Sequence, residues 1–334
     1  MAKNHTRYIF SMGEIKRKDN SIAFRNEKGN FYIPIEDTRE LYCMNEVSLN
    51  SKFLDFISKA GICVHFFNYF GHYSGSFYPK EQLISGNLNI KQAQAYLNHR
   101  ELVAKQIVLG IAKNIHEILY HYYRHGKKEL KEYLDWLKTV VPKLLESVDE
   151  IERILSVEGR IWLRFYDSFL HFLPEDFLMN KRVKRPPDNP MNALVSFGNT
   201  LLYTKTISQI YNTHLNQSIS FLHSPSEGRF SLSLDLSEVF KPVLVFKTIF
   251  ELVGRKKLQV AKHFDKSLNY AILNENGKKI FIEAFETRVN DSFKHTKLKR
   301  LTTYKNAIKL DGYKLTKMLN SGEVFVPFDL KEKR

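Results

Sequence analysis

The feature that most constrains the fold is a change in the hydrophobic period of the sequence near Pro79. Before this point, short β-branched and aromatic runs are separated by Gly, Asn and Asp, a pattern typical of β-hairpins. These runs are RYIFS, SIAF, FYIPI, RELYCM, ICVHFF and YSGSFYP. One segment between them, SKFLDFISKA, has helical spacing and is followed by Gly61 at the position of a carboxy-terminal cap. Residues 1–80 are therefore predicted to be β-rich with one short helix.

After Pro79 the apolar residues recur every three or four positions, which predicts amphipathic helices. Three stripes show this spacing: Ile107, Ile111, Ile115, Ile118 and Tyr122; Leu130, Leu134, Leu137 and Val141; and Ile151, Leu155, Trp162 and Phe169. The segment NKRVKRPPDNPMNA at residues 180–193 is rich in Pro and basic residues and is predicted to be a loop. The predicted fold class is α+β, with a small β-rich domain at 1–80, a linker at 81–90 and a larger all-α domain at 91–334.

The charge of the chain indicates a polyanionic partner, because Lys and Arg number 51 against 36 acidic residues, a formal net charge of +15. Nucleic acid is the favoured partner, an acidic membrane surface is the second candidate, and a basic protein without such a partner is the alternative. No apolar run reaches membrane-spanning length, and the amino terminus lacks a signal-peptide core, so we expect a cytoplasmic protein. Cys43 and Cys63 lie in apolar strand-like runs, which argues against disulfides and against a cysteine metal site.

Glu158 occupies an unusual place for a carboxylate. It lies at helical steps from a line of apolar residues: Ile151, Leu155, Trp162, Phe165 and Phe169. Glu158 is therefore predicted to project from the apolar face of its helix, where it must be satisfied by a cation or by hydrogen-bond donors. Two interpretations remain open: Glu158 binds a ligand, or it forms a buried ion pair with Arg160 or Arg164.

The stretch FLHSPSEGRFSLSLDLSE, residues 221–238, holds three more polar groups among apolar residues. Residues 231–236 alternate like a strand, and a helix that is apolar nearly all round is predicted to follow from Asp235. Asp235 and Glu238 are three residues apart, which fits a capping box at the start of that helix. His223 is open to two interpretations, a satisfied core residue or a metal ligand.

Together these residues form a possible metal-binding set drawn from separate elements. Carboxylate oxygens suit Mg²⁺ and Mn²⁺, and an imidazole among them shifts the preference toward Mn²⁺. Such an ion serves phosphodiester chemistry, because it polarises a phosphoryl oxygen and stabilises the charge that develops there. The set has no fixed spacing in the sequence, so the structural interpretations of each residue stay open on these grounds.

Four motifs resemble the CRISPR-associated integrases of the adaptation (spacer acquisition) module, the family numbered first among the Cas proteins. They are VEGRIWLRFY around Glu158, RVKRPPDNPMNALVSFGNTLLY at 182–203, the isolated His223, and SLSLDLSEVFKPV at 231–243. The order and approximate separation of the motifs agree with the family, and so does a β-rich start followed by a larger helical domain. The resemblance therefore covers essentially the whole chain. Asp188, Asn189 and Pro190 stand where the family loop more often reads Asp-Pro directly.

The resemblance implies a metal-dependent DNA integrase and endonuclease that inserts captured DNA fragments into a CRISPR array. It implies that Glu158, His223 and Glu238 bind Mg²⁺ or Mn²⁺ and that Asp235 is a nearby acid of the catalytic site. It also implies a homodimer formed largely through the β domains and assembly with a small ferredoxin-like adaptation partner. The alternative is a non-catalytic DNA-binding or scaffolding protein in which the acids are only caps and ion pairs.

Two basic clusters are candidate DNA-binding surfaces, since each phosphate contact strengthens binding and steepens its dependence on salt. The first is in the proline-rich loop: Lys181, Arg182, Lys184 and Arg185. The second is near the carboxy terminus: Lys294, Lys297, Lys299, Arg300 and Lys305. The alternative for either cluster is a solvated basic face.

Overall fold

The computed structural model describes residues 5–68, 70–79, 85–179, 181–184, 186–266, 271–296 and 298–333. The contacts within the chain divide it into two compact units, Met1–Ile84 and Ser85–Arg334. Among the described residues, none of the helices combines the length and the apolarity that a membrane crossing requires.

The first unit is built from two four-stranded sheets and one helix. Its described elements are β1 (His5–Ile9), β2 (Gly13–Lys18), β3 (Ser21–Asn26), β4 (Gly29–Pro34), β5 (Thr38–Cys43), β6 (Val47–Leu49), α1 (Ser51–Lys59), β7 (Cys63–Phe67) and β8 (Tyr73–Phe77). One sheet has the order β1-β5-β7-β8, and the other has the order β4-β3-β2-β6. The predicted strand runs are confirmed. The sequence missed β2, because GEIKRK is largely charged and only Ile15 of it is buried.

The helix α1 forms where the sequence predicts it, and both of its ends are capped. At its start, Oδ1 of Asn50 accepts a hydrogen bond from the backbone N–H of Phe53 at 3.0 Å. At its end, Gly61 has a φ of +69°, and the backbone N–H of Ile62 donates to the carbonyl of Ile57 at 3.0 Å. This is a Schellman motif, which needs a left-handed residue and therefore favours glycine.

The second unit is mostly helical. Its described helices are α2 (Gly86–Arg124), α3 (Lys131–Asp135), α4 (Val141–Glu146), α5 (Ile151–Asp167), α6 (Pro190–Tyr211), α7 (Ser231–Phe240), α8 (Lys247–Gly254), α9 (Val260–His263), α10 (Glu275–Asn290) and α11 (Tyr304–Ser321). Two π-helical segments, Trp136–Val140 and Lys241–Phe246, join α3 to α4 and α7 to α8. A proline, which has no N–H for the ordinary helical bond, accompanies each segment: Pro142 follows the first in the opening turn of α4, and Pro242 lies within the second.

Two predictions about this unit need correction. Residues 86–90, predicted as linker, form the start of α2, which is capped by the Ser85 hydroxyl, while 81–84 lie outside the described residues. The unit is not all-α, because it contains two antiparallel hairpins, β9 (Phe264–Lys266) with β10 (Ala271–Leu273) and β11 (Ser292–His295) with β12 (Arg300–Thr303). These strands are three or four residues long, too short to show a period in the sequence.

The apolar stripes identify most of the core. The Ile107 to Ile118 stripe of α2 and the Leu130 to Val141 stripe are buried as predicted. The long helix that begins in α7 and continues through α8 is buried nearly all round, also as predicted. The predicted loop at 180–193 ends earlier than expected, because Pro190 starts α6 after the Asn189 side chain caps it.

Candidate active site

Glu158 lies at the edge of the buried face of α5. That face consists of Ile154, Val157, Ile161, Trp162 and Phe165, whereas Ile151 and Leu155 of the predicted stripe are only half-buried. The buried face is therefore rotated from the predicted one, and Glu158 itself is half-buried.

The Glu158 carboxylate is held by an indole. Nε1 of Trp162, one turn along α5, donates to Oε1 of Glu158 at 2.5 Å. The structure does not support the ion-pair alternative, because Arg164 donates to Glu132 at 2.7 Å and Arg160 is exposed. Sequence analysis did not predict Trp162 as the partner of Glu158, because a tryptophan in an apolar stripe is interpreted as a core residue and not as a hydrogen-bond donor.

Glu158 and Glu238 are electrostatic neighbours although they belong to different helices. Burial, followed by the negative charge of Glu238, raises the pKa of Glu158 to about 7 against the opposing charges of Lys241 and His223. Glu238 is 4% exposed and forms an ion pair with Lys241, three residues along the same helix. The charges of two carboxylates from different helices thus act on each other in a poorly solvated space, where Lys241 offsets part of their repulsion.

Asp235 anchors the loop that carries His223. Its carboxylate is fully buried and accepts hydrogen bonds from the backbone N–H groups of Phe221, Leu222 and His223 at 2.7, 2.7 and 3.0 Å. Its Oδ1 also lies 2.8 Å from Nδ1 of the His223 ring. When Nδ1 carries the proton and donates it, Nε2 keeps its lone pair for a proton or a metal. Because four contacts use both oxygens of Asp235, its role in the structure is to orient His223.

The charge around His223 favours its protonated form. Burial lowers the pKa of the imidazole, but the hydrogen bond and charge of Asp235, together with Glu238 and Glu158, outweigh burial and raise it above the usual value. The charges of Glu158 and Glu238 therefore both act on the pKa of His223.

The capping-box prediction for Asp235 and Glu238 is wrong. The helix α7 begins at Ser231, no side chain caps its first turn, and Asp235 stands in its middle. The alternating residues 231–236 are helical, not extended. The alternating pattern indicated a strand with solvent-facing serines. Ser231 and Ser233 are instead buried, and the Ser233 hydroxyl donates a hydrogen bond to Gln217 at 2.6 Å.

Arg100 of α2 forms a second anchor for the same loop. Its Nε donates to the carbonyl of Phe221 at 2.6 Å and its Nη2 donates to the carbonyl of Leu222 at 3.0 Å. Asp235 and Arg100 therefore bind the N–H and C=O sides of the same two peptide units. Sequence reasoning missed Arg100, because nothing local distinguishes it from the other basic residues of a surface helix.

Asn192 holds the basic loop at 181–189 against the start of α6. Its fully buried amide donates to the Lys181 carbonyl at 2.9 Å and to Oδ1 of Asp188 at 2.7 Å. Its Oδ1 accepts from the Val183 N–H at 3.2 Å and from Nη1 of Arg182 at 3.0 Å. All of the hydrogen-bonding capacity of this side chain thus serves the loop.

The predicted DNA-binding residues of this loop differ in their environment. Lys181 and Lys184 are exposed, whereas Arg182 is half-buried and its Nη2 also donates to Ser196 at 2.9 Å. Desolvation and the charges of Lys241 and Arg182 lower the pKa of Lys184, while Glu238 and Glu158 oppose that change. The charges of the two carboxylates therefore act on the exposed Lys184 ammonium group. Arg185 lies outside the described residues.

The second basic cluster is centred on the β11–β12 hairpin. Lys294, Lys299 and Arg300 are exposed there, while Lys305 is buried in α11 and is not part of the surface. Lys297 lies outside the described residues. Binding of DNA by these side chains stays a prediction.

The donor set suits a divalent cation in its chemistry. It combines two carboxylates that repel each other with an imidazole whose Nδ1 faces Asp235, so that Nε2 could bind a metal once its proton is lost. Within the described part of the chain, however, no three His, Cys, Asp or Glu side chains are arranged closely enough to hold a metal ion. Glu238 is paired with Lys241, and convergence of Glu158, His223 and Glu238 on one ion stays a prediction.

Comparisons with known proteins agree with this arrangement of elements. A protein of Methanobrevibacter ruminantium called CRISPR-associated protein Cas1 is 41% identical over 96% of this chain and 97% of its own length. A Fusobacterium nucleatum protein called CRISPR-associated endonuclease Cas1 is 41% identical over 97% of this chain and 96% of its own. The solved Cas1 structure from Thermotoga maritima superimposes with a TM-score of 0.85 at 36% identity, covering 96% of this chain and 99% of that one.

A more distant structure shares the fold. A casposase bound to an integration product gives a TM-score of 0.82 at 17% identity, over 98% of this chain and 94% of that one. The family model described as CRISPR associated protein Cas1 matches residues 7–287. With a family model that spans most of its length and relatives at about 40% identity, the chain belongs to the Cas1 family.

Proposed function

We propose that this protein is a divalent-metal-dependent DNA endonuclease and integrase that inserts captured DNA fragments into a CRISPR array. The observation that carries the proposal is the orientation of the His223 ring by the buried Asp235, close to the buried Glu238 carboxylate of the same helix as Asp235 and to Glu158, whose pKa burial and Glu238 raise. The family relationship supports it, since several relatives are named CRISPR-associated endonucleases. The fold also occurs in a casposase whose structure contains an integration product.

The reaction is a transesterification. The 3′-oxygen of the incoming fragment forms a bond to a target phosphorus, the target P–O bond breaks, and a new 3′-hydroxyl is released. The number of phosphodiester bonds is unchanged, so the step needs no nucleotide cofactor. A divalent ion, Mg²⁺ or Mn²⁺, held by Glu158, His223 and Glu238 would supply Lewis acidity and stabilise developing charge.

The chain's own residues have separate tasks in this proposal. Asp235 and Arg100 fix the loop so that Nε2 of His223 faces the reacting groups, where it binds the ion or moves a proton. Lys184 brings an ammonium group to the border of the carboxylates, where it is placed to contact the target phosphate. The hairpin cations Lys294, Lys299 and Arg300 follow the DNA backbone away from the site.

The partners are also part of the proposal. We propose double-stranded fragments and the leader–repeat boundary of the array as DNA partners, a homodimer formed through the β-rich unit, and a small ferredoxin-like adaptation protein. The fold of this chain occurs in a solved Cas6-RT-Cas1–Cas2 complex, with a TM-score of 0.82. That complex is the reason to test assembly with a Cas2-type partner first.

The deciding experiment measures strand transfer on a branched DNA substrate with Mg²⁺ or Mn²⁺. Glu158→Ala and His223→Ala are expected to abolish transfer, while Glu152→Ala, an exposed acid on the same helix, keeps it. Full activity in a folded Glu158→Ala variant would remove Glu158 from the site. Wild-type DNA binding without transfer under either metal would favour a scaffolding role.

Metal binding is tested separately from activity. Mn²⁺ is expected to raise the melting temperature of the wild type and to leave that of Glu238→Ala unchanged, because the variant lacks one ligand. Equal shifts in the two proteins would exclude Glu238 as a ligand.

A further inference from the structure

The carboxy-terminal half of α2 carries a row of rings on its outer face. His116, Tyr120 and Tyr123, which we call the aromatic ladder, are spaced by four and three residues and so share one face of the helix. The rings of His116 and Tyr120 are nearly parallel, at 12° and with centroids 5.8 Å apart, and those of Tyr120 and Tyr123 are at 25° and 6.1 Å. Tyr120 is 39% exposed.

The three rings differ in burial: Tyr120 is exposed, Tyr123 is half-buried and the His116 side chain is 17% exposed. Tyr122 points the other way, stacks on Phe172 with centroids 4.2 Å apart, and meets Phe250 edge to face. Burial accordingly raises the pKa of Tyr122 to about 12. Packing against Phe172 and Phe250 therefore explains Tyr122, but it does not explain the exposed Tyr120 or the half-buried Tyr123 that stacks beside it.

Cations surround the ladder. Lys113 precedes it by one helical turn, and Arg124 and Lys127 follow it, all exposed. Gly126, with a φ of +99°, turns the chain so that Nζ of Lys128 comes back over the Tyr123 ring at 4.4 Å from its centroid. The adjacent acid, Glu117, is 11% exposed and already pairs with Lys331 at 3.3 Å. The face therefore combines parallel π surfaces with excess positive charge.

We propose that the aromatic ladder and its cations bind single-stranded nucleic acid, with unpaired bases stacked on the rings and phosphates held by the Lys and Arg side chains. Exposed rings in a positively charged track are the means by which proteins bind single strands without sequence preference. A duplex keeps its bases stacked internally and offers the rings no partner, so charge alone would attract it. This surface uses none of the residues of the candidate active site, and the inference does not rest on the proposed strand transfer.

The test measures fluorescence anisotropy of a labelled oligothymidylate of about 15 nucleotides with the full chain in EDTA. Tyr120→Ala combined with Tyr123→Ala is expected to weaken binding by about tenfold or more, because each lost stacking contact has an effect of that order. The matched pair Tyr120→Phe with Tyr123→Phe keeps the rings and should bind as the wild type does. Leu102→Ala, which removes a 56% exposed apolar side chain from the same helix, should also leave binding unchanged.

Three results would overturn the inference. One is wild-type affinity of the alanine pair for the oligothymidylate. Another is an equal loss of affinity for duplex DNA in the alanine pair, which would show that the rings do not select unpaired bases. The third is displacement of the oligonucleotide by polyglutamate as effectively as by unlabelled strand, which would assign the face to acidic polypeptides.

A measurement on the wild type removes any dependence on how the variants fold. An oligonucleotide carrying 5-iodouracil is expected to cross-link on irradiation to Tyr120 or Tyr123, and cross-links found only outside residues 113–128 would contradict the proposal. Binding and cross-linking are both measured in EDTA, where no metal-dependent strand transfer takes place, and Glu152→Ala should bind and cross-link as the wild type does. Failure of the strand-transfer proposal is therefore distinguishable from failure of this one.

Discussion

Two loops approach the same pair of carboxylates, and they are held in different ways. The loop with His223 is fixed by charged groups, Asp235 on its N–H side and Arg100 on its C=O side. The basic loop with Lys184 is fixed by a neutral amide, Asn192. The Asp235 and Asn192 side chains each make four hydrogen-bonding contacts with their loops. Only Asp235 also raises the pKa of the residue that it positions, His223.

The difference follows from what each loop presents. A carboxylate next to His223 fixes its ring and favours its protonation, so the anchor also tunes the functional group. A carboxylate under the basic loop would instead compete with phosphate for the Lys and Arg side chains. An amide saturates the backbone of that loop without adding charge, which preserves the positive potential along it.

The largest expected effect is on the charged anchor. Asp235→Ala leaves three backbone N–H groups and an imidazole without their acceptor, so we expect a loss of about 3–5 kcal/mol in the free energy of unfolding. Urea denaturation of the metal-free protein measures it. Glu227→Ala, an exposed acid of the same loop, is the control and should change stability by less than about 0.5 kcal/mol. A loss no larger than that of the Asn192 variant would reverse the ranking of the two anchors.

The neutral anchor is expected to contribute less to stability. Asn192→Ala removes four hydrogen bonds, but several of the released groups can reach water, so we expect a loss of about 1–3 kcal/mol. Asp188→Ala removes one of the four and should cost less. Hydrogen exchange of residues 181–189 should accelerate in Asn192→Ala, and unchanged exchange there would show that the amide does not hold the loop.

The carboxylates between the loops are expected to destabilise the metal-free protein at high pH. The folded-state pKa of Glu158, about 7, lies above its unfolded value, so its contribution is fully present at acid pH and is lost as the pH rises through about 7. Glu158→Gln keeps the acceptor for Trp162 without the charge and should stabilise the protein by about 1–2 kcal/mol near pH 8. Thermal unfolding in EDTA across this range, with Glu152→Gln as control, gives the result. A variant less stable than the wild type at that pH would contradict the electrostatic interpretation.

The smallest effect distinguishes the anchors directly. In an NMR titration, the pKa of His223 should lie above the usual imidazole value, should fall in Asp235→Asn and should stay unchanged in Asn192→Ala. Equal changes in both variants would mean that general loosening of the site, not the Asp235 charge, controls the imidazole.

Local patterns in the sequence predicted most of the elements. The strand runs, α1 with its Gly61 cap, and the buried stripes of α2 follow from short-range spacing, which any single segment displays by itself. The sequence did not predict β2 because its residues are largely charged. It did not predict β6 or the two short hairpins because strands of three or four residues are too short to show a period. The start of α7 was misjudged because Ser231 and Ser233 look like solvent-facing residues until their burial is known.

The candidate site was predictable only as a list of residues. The resemblance to the Cas family selected Glu158, His223, Asp235 and Glu238. In the structure Asp235 contacts His223, and the charges of His223 and Glu238 act on the pKa of Glu158, while binding of one ion by these residues stays a prediction. No local signal indicated Arg100, Asn192, Lys241 or the indole of Trp162. Each is an ordinary residue for its helix, and its partner is known only when distant segments are brought together.

The sequence by itself determined the β-rich start, the position of most helices, the excess of positive charge and the identity of the acids, because composition and spacing are properties of the chain alone. The tertiary structure decided what each polar side chain does. Asp235 and Glu238 lie three residues apart in one buried helix, yet one binds the backbone of a loop and the other pairs with Lys241. Their roles differ because hydrogen bonds and ion pairs depend on distance in space, which the sequence does not specify.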